Sequence, residues 1–279
     1  MKFVSFTHAG NSSWGVSDNG AVYDLGPSGA GLAPSLREAI AAGLLAGVSI
    51  DGLPSVPEAE VQFDPVIRDS AKIICIGANY RAHQKEAGRS DVTAPTVFFR
   101  YADSQMGHGQ PAVFPASSTQ FDYEGEMALV IGSPAWRVPA AEAYDHVAGY
   151  ACYNDFSVRD WQLAAGQWGP GKNFPATGGF GPYFVPASEV GDVAALTLET
   201  RVNGEVRQHT SVGDLTFDIP AIIEHVTAFT PLSPGDVIVT GTPGGVGLFM
   251  EPSGLLSPGD VVEVEITGLG VLRNEVVAE

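Results

Sequence analysis

A chain of 279 residues is long enough for one large hydrophobic core, or for one core with a small unit appended. Its 14 Lys and Arg are outnumbered by 32 Asp and Glu, a formal charge of −18, which sets nucleic acid and anionic membrane aside as partners. The same charge repels a small anionic substrate at long range, so a site for one has to gather positive charge locally.

The N-terminus, Met1-Lys2-Phe3-Val4-Ser5-Phe6, lacks the apolar core and cleavage site of a signal peptide. No apolar run reaches the roughly 18 residues of a membrane span, so a cytoplasmic protein is expected. Residues 1–66 read as a small α+β unit. Segments 2–6 and 21–25 are predicted strands, with turn chemistry in Ser17-Asp18-Asn19-Gly20 between them. A helix is predicted over 36–45, with Ser35 as N-cap and Gly47 near its stop. Segment 52–60, rich in Pro and acid, reads as a connector.

Residues 67–279 are strand-rich. The clearest predicted strands are 72–77, 96–99, 125–131, 147–153, 197–202, 236–240 and 260–266. Helical patterns are fewer, at 138–144, 157–165 and 219–229. Helix and strand do not alternate regularly, which argues against a doubly wound fold and for an irregular, predominantly β, α+β fold. The run Leu232-Ser233-Pro234-Gly235-Asp236-Val237 recurs as Leu256-Ser257-Pro258-Gly259-Asp260-Val261. Pro-Gly suits the centre of a type II turn, so this is one turn used twice. Cys75 and Cys152 stand in apolar runs and read as small buried hydrophobes of a reducing compartment.

Four constellations carry chemistry. In Phe121-Asp122-Tyr123-Glu124-Gly125-Glu126, followed by five apolar residues, side chains two apart share a strand face, so Asp122, Glu124 and Glu126 are expected to line one side. Asp155 ends another apolar run. Acids on a solvated strand are the common outcome, but buried unpaired carboxylates are costly. A hard divalent cation, Mg²⁺ or Mn²⁺ with Ca²⁺ as an alternative, would offset that cost through oxygen ligation. Second, His83 and Glu86 share a face if Gly77-Ala78-Asn79-Tyr80-Arg81-Ala82-His83 leads into a helix. Such a pair is either a surface contact or an imidazole base held in one tautomer, able to activate water. Third, a helix from Ser157 puts Asp155, Arg159 and Gln162 near one side. Arg159 could fork onto a ligand carboxylate or merely neutralise Asp155 or Asp160, and Lys172 in Gly169-Pro170-Gly171-Lys172 is an anion or enolate partner or a surface lysine. Fourth, Thr240-Gly241-Thr242-Pro243-Gly244-Gly245-Val246-Gly247 is a tight loop that could bring N–H groups and a threonine hydroxyl to a ligand, without the Lys-Ser/Thr ending of a phosphate loop.

In order, these runs resemble the fumarylacetoacetate hydrolase family. The matching motifs are Gly77-x-Asn79-Tyr80-x-x-His83-x-x-Glu86, Asp122-Tyr123-Glu124-x-Glu126 with Val130-Ile131-Gly132, and Gly149-Tyr150 with Asn154-Asp155 and Arg159-Asp160-x-Gln162. Lys172, Gly181-Pro182, Val202-Asn203-Gly204-Glu205 with Gln208, and the run from Pro234 to Gly247 complete the set. The resemblance implies a β-sandwich roll over 67–279, commonly dimeric, so a homodimer is expected. It implies Glu124, Glu126 and Asp155 as metal ligands, and His83 and Glu86 as a water-activating dyad. It places Lys172 with the dyad in catalysis, and Arg159, Gln162, Thr242, Tyr80 and Arg100 toward substrate.

The implied activity is hydrolysis of a C–C bond in a small anionic 2,4-dioxo acid, an acylpyruvate or fumarylpyruvate, through a pyruvate enolate in aromatic or sugar-acid catabolism. The alternatives are decarboxylation or isomerisation of a related 2-oxo acid, of the oxaloacetate or hydroxymuconate type, and hydrolysis of a 2,4-diketo-3-deoxy sugar acid. Arg100 stands where many members of the family have Lys, and 174–179 lacks an Asp that many have after the lysine. Both departures leave the distal substrate group open.

Overall fold

The computed structural model describes residues 1–89 and 92–279. A long mixed sheet crosses the molecule in the order Ser55–Pro57, Ala21–Asp24, Asn11–Asp18, Lys2–His8, Gly178–Pro186, Val147–Asp155, Gly125–Ile131, Val237–Val239, Ile73–Gly77, Thr96–Arg100. Neighbours along this path are antiparallel except Val237–Val239 and Ile73–Gly77, which run parallel. A second sheet, in the order Glu205–Ser211, Thr197–Val202, Val261–Ile266, Gly270–Ala278, Ala112–Phe114, packs against it. The α+β class and β-dominated architecture expected from the residues are what the chain adopts.

Strand Gly125–Ile131 shows why the core sits where it does. Every residue in it is buried, and alternate side chains go to opposite faces. Met127, Leu129 and Ile131 face the second sheet, meeting Leu198, Val264 and helix residues Ile222 and Val226. Ala128 and Val130 face the other way, toward Trp14, Phe184 and Val237. A strand buried on both sides cannot slip register by one residue without exchanging its two faces, so the acids at its start are held in place.

Segment 1–66 continues the same sheet. Phe3 pairs with Phe184, and Trp14, Leu36 and Ile40 share an apolar cluster with Ala128 and Val239. Trp14 is fully buried and its indole N–H donates to Ala33 O at 2.9 Å. Trp14→Ala therefore opens a cavity and orphans an acceptor, and should cost about 3–5 kcal/mol, read as a lower denaturant midpoint.

Several expected elements differ in detail. Strand Asn11–Asp18 fills the space between the two expected N-terminal strands, with seven residue pairs to Lys2–His8 overriding its Ser- and Gly-rich composition. Gly178–Pro186 is a central strand despite its glycines and proline, because it is clamped between Lys2–His8 and Val147–Asp155. The expected helix 157–165 shortens to Arg159–Leu163, since Ser157–Val158 pairs with Phe121–Asp122. The expected helix 138–144 is a 3₁₀ segment, Ala140–His146, and the helix capped by Ser35 ends at Ala41. Both Pro-Gly turns are alike: Gly235 and Gly259 have φ of 85° and 97°, and Asp236 and Asp260 N–H donate to Ser233 O and Ser257 O. Among the described residues, no helix is long and apolar enough to cross a membrane.

Candidate active site

Pairing of Gly125–Ile131 with Val147–Asp155 sets Gly125 opposite Asn154, and Asp155 N–H donates to Glu124 O at 2.9 Å. The register brings one carboxylate oxygen each from Glu124, Glu126 and Asp155 within 4.8 Å of one another, all buried. Asp122 does not join them, contrary to the expectation of one acidic face. Phe121–Asp122 belongs to a separate two-stranded ribbon, and the chain leaves both sheets at Tyr123 and Glu124. Asp122 instead accepts from the N–H groups of Tyr123, Gly247 and Leu248 at 2.8–2.9 Å and pairs with Arg159 at 2.8 Å. It ties the arginine to the loop after the glycine run.

Three buried cations meet the acids. Lys172 Nζ lies 2.7 Å from Glu124 Oε2 and 2.6 Å from Asp155 Oδ2. Arg159 Nη1 donates to Glu124 Oε1 at 2.6 Å and to Gln162 Oε1 at 2.9 Å. Arg100 pairs with Asp155 and donates to Thr177 Oγ1 at 2.7 Å. Glu126 has no ion pair among the described residues and accepts from Gly241 N–H at 2.5 Å.

The electrostatics follow from this inventory. Burial would raise the Glu124 carboxyl, but the Lys172 ammonium and Arg159 guanidinium outweigh it and hold it well below the usual range. Burial, then Asp155 and Glu124, push Glu126 well above its usual range. Burial works against the charge on Lys172, but Asp155 and Glu124 keep it raised overall. In the metal-free protein Glu126 therefore stabilises the fold fully below its ordinary value of 4.5 and loses that contribution as pH rises through its raised value. Glu124 has the opposite sign, contributing above 4.5 and losing it as pH falls. In EDTA, wild type should thus lose stability relative to Glu126→Gln as pH rises above the ordinary carboxylate value of 4.5, measured by urea titration at each pH.

The donor set fits a divalent cation. It offers three hard carboxylate oxygens, one from an acid that enters no ion pair among the described residues.

His83 and Glu86 lie on helix Arg81–Glu86 with His83 Nδ1 2.7 Å from Glu86 Oε1. An ionised carboxylate only accepts, so Nδ1 carries the proton and Nε2 is left as the basic nitrogen. Glu86 Oε2 also accepts from Gly245 N–H at 2.9 Å, which fixes the dyad to the glycine loop. In the same loop, Thr242 Oγ1 donates to Gly125 O and receives Gln208 Nε2 at 2.8 Å. Gln208 Oε1 in turn accepts from Gly125 N–H, so this glutamine braces the loop against the acidic strand.

These groups surround a cavity of about 240 Å³. Glu124, Glu126, Arg159, Gln162, Lys172 and Thr242 form its buried floor, and His83 stands on its wall. Phe98, Leu163, Trp168, Leu248 and Phe249 form the outer, apolar part. Tyr80 and Arg100, expected to face substrate, are buried outside the cavity lining. Burial and then Glu126 raise the Tyr80 phenol, and Arg100 spends its guanidinium on Asp155, Phe156 O and Thr177. Arg89 and Trp168 were not singled out by sequence. The only signal was Gly77, where a Cβ would fall 2.1 Å from the Trp168 ring. Gly77→Ala should displace that ring and cost about 1–3 kcal/mol, read as a lower melting temperature with altered tryptophan emission.

A family model described as fumarylacetoacetate (FAA) hydrolase C-terminal matches residues 72–277. Oxaloacetate tautomerase YisK of Bacillus subtilis is 41% identical over 215 residues, 76% of this chain and 71% of that protein. The solved fumarylacetoacetate hydrolase of psychrophilic Exiguobacterium antarcticum is 36% identical with a TM-score of 0.89, covering 100% of both chains. Maleylpyruvate hydrolase from Sphingobium sp. SYK-6, solved with manganese(II) and pyruvate, is 27% identical with a TM-score of 0.83, covering 100% of this chain and 99% of the other.

Proposed function

Because this chain belongs to the fumarylacetoacetate hydrolase family, we propose that it catalyses keto–enol tautomerisation of a small 2-oxo acid of the oxaloacetate type at the Glu124–Glu126–Asp155 centre. The observation that carries this reading is the convergence of three carboxylate oxygens within 4.8 Å, with the Lys172 ammonium against two of those residues, at a cavity floor that Glu124, Glu126 and Lys172 line. The relative in Bacillus subtilis, an oxaloacetate tautomerase, supports this reaction over the hydrolysis that the family resemblance first implied.

Glu124, Glu126 and Asp155 would hold a divalent cation, Mg²⁺ or Mn²⁺, which when bound polarises the 2-oxo group and acidifies the adjacent C–H. An ammonium has three protons, and Lys172 commits two to Glu124 and Asp155. The third is available to an enolate oxygen. Gln162, whose Oε1 accepts from Arg159, presents its amide N–H groups to the substrate carboxylate, and Thr242 braces the adjoining loop through Gly125 O. His83 Nε2, left unprotonated by the Nδ1–H contact to Glu86, takes the proton from carbon and returns it. The apolar outer wall keeps water from the enolate.

The same dyad is also suited to deprotonating water, which favours hydrolysis of an acylpyruvate as a second reading. Ketonisation of enol-oxaloacetate, followed by ultraviolet absorbance with Mg²⁺ or Mn²⁺ and again with EDTA, tests the first reading. Pyruvate release from acylpyruvates tests the second. Metal-dependent acceleration of ketonisation is expected, and none above the buffer rate would remove the tautomerase reading. The homodimer and the cytoplasmic setting belong to the same proposal, and light scattering at micromolar concentration tests the dimer.

A further inference from the structure

The cations on the cavity floor are already engaged. Lys172 pairs with Glu124 and Asp155, and Arg159 with Asp122 and Glu124. Arg89 lines the same cavity at its exposed rim and, among the described residues, enters no ion pair. Its guanidinium lies 4.7 Å from the Trp168 ring centroid. Trp168 is itself held, edge-on to Phe98 at 5.6 Å and against the bare backbone of Gly77. A guanidinium held over a ring face still has N–H groups to offer a carboxylate, and among the described residues those of the Arg89 side chain meet no acceptor.

Beside His83, the rest of the wall is largely apolar, with Phe98, Leu163, Leu248 and Phe249. Among the described residues that line the cavity, Arg89 is the Lys or Arg outside the floor cluster of Arg159 and Lys172, placed for a second carboxylate reaching outward from a floor-bound 2-oxo acid. The chain's formal charge of −18 makes such a local cation necessary for a dianion. Arg89 N–H donates to Gln84 O at 2.8 Å, so the residue is fastened to the end of the helix that carries His83 and Glu86.

We propose that Arg89, stacked on Trp168, is the specificity determinant that binds the distal carboxylate, so that the preferred substrates are dicarboxylic 2-oxo acids. This rests on the reading above that the floor takes the 2-oxo acid end. The fork donates two parallel hydrogen bonds to a carboxylate, which a lysine cannot supply in that geometry.

The test compares oxaloacetate with its C4 methyl ester, which keeps the reacting end and lacks the distal charge. In Mg²⁺-loaded wild type, the diacid should lead in kcat/KM. R89A should cut the diacid-to-ester ratio by about 10- to 100-fold, with the loss in KM and not kcat, the scale of a charge-assisted bidentate contact. R89K should fall between the two. An unchanged ratio in R89A, or an equal fall for acid and ester, overturns the assignment. If wild type turns over neither compound, the tautomerase reading fails by itself. Calorimetric binding of the non-enolisable 3,3-difluoro-oxaloacetate and its C4 methyl ester then decides the subsite. A diacid preference lost in R89A upholds it, and equal affinities in both proteins remove it.

Discussion

Glu126→Gln is expected to abolish metal-dependent turnover while leaving the metal-free protein at least as stable as wild type. The asymmetry comes from the partners of the three acids. Glu124 and Asp155 each neutralise buried cations, whereas Glu126, among the described residues, enters no ion pair, accepts from the Gly241 N–H and faces two neighbouring carboxylates. Making it neutral removes like-charge repulsion and a ligand together. Wild type at about a hundred times the dissociation constant of Mg²⁺ gains about 2.7 kcal/mol of stability by mass action, and Glu126→Gln should lose that gain. Its rate should fall by about 10³-fold or more, the scale of losing a preorganised electrostatic catalyst. Glu124→Ala should behave differently, unfolding more easily even in EDTA by about 3–5 kcal/mol, because Lys172 and Arg159 lose a buried counter-ion. Thermal melts of the three proteins with Mg²⁺ and with EDTA read all of this. An undiminished Mg²⁺-induced shift in Glu126→Gln would remove the metal site from these residues.

His83→Ala should lower the ketonisation rate by about 10²–10⁴-fold, through kcat, with little change in the melting temperature. His83 is on the cavity wall, and its ring contact is with Phe249, itself 41% exposed, so removing the imidazole opens little packed core. Glu86→Gln should cost rate as well. A glutamine amide can donate to Nδ1 and so move the imidazole proton to Nε2, which then cannot accept one. Parallel assays with an acylpyruvate separate the two chemistries. If His83→Ala kept its ketonisation rate and lost acylpyruvate cleavage, the dyad would be assigned to water, and the hydrolysis reading would take precedence.

Much of the site was legible because it is written in short-range spacing. His83 and Glu86 are three apart, and a single helical turn suffices to join them. Glu124 and Glu126 are two apart at the mouth of an apolar run, and the run announces a buried strand. The Pro-Gly turns, the Ser35 cap and helix Ile219–Phe229 are local in the same way. Gly178–Pro186 and Asn11–Asp18 were not legible, because their strand character comes from neighbours on both sides and not from their own residues.

By itself the amino-acid sequence determined which chemistry this protein can hold: an acid-rich, lysine-poor chain with carboxylates at the ends of buried strands and one imidazole–carboxylate pair. Tertiary structure alone decided how those groups divide their work. It sent Asp122 away to Arg159 and the 247–248 backbone, turned Arg100 onto Asp155 and out of the cavity, left Glu126 without an ion pair among the described residues, and set Arg89 over Trp168 at the rim. The reason is that charge interactions fall off over a few ångströms, while the partners here are separated by up to about a hundred and twenty-five residues of chain.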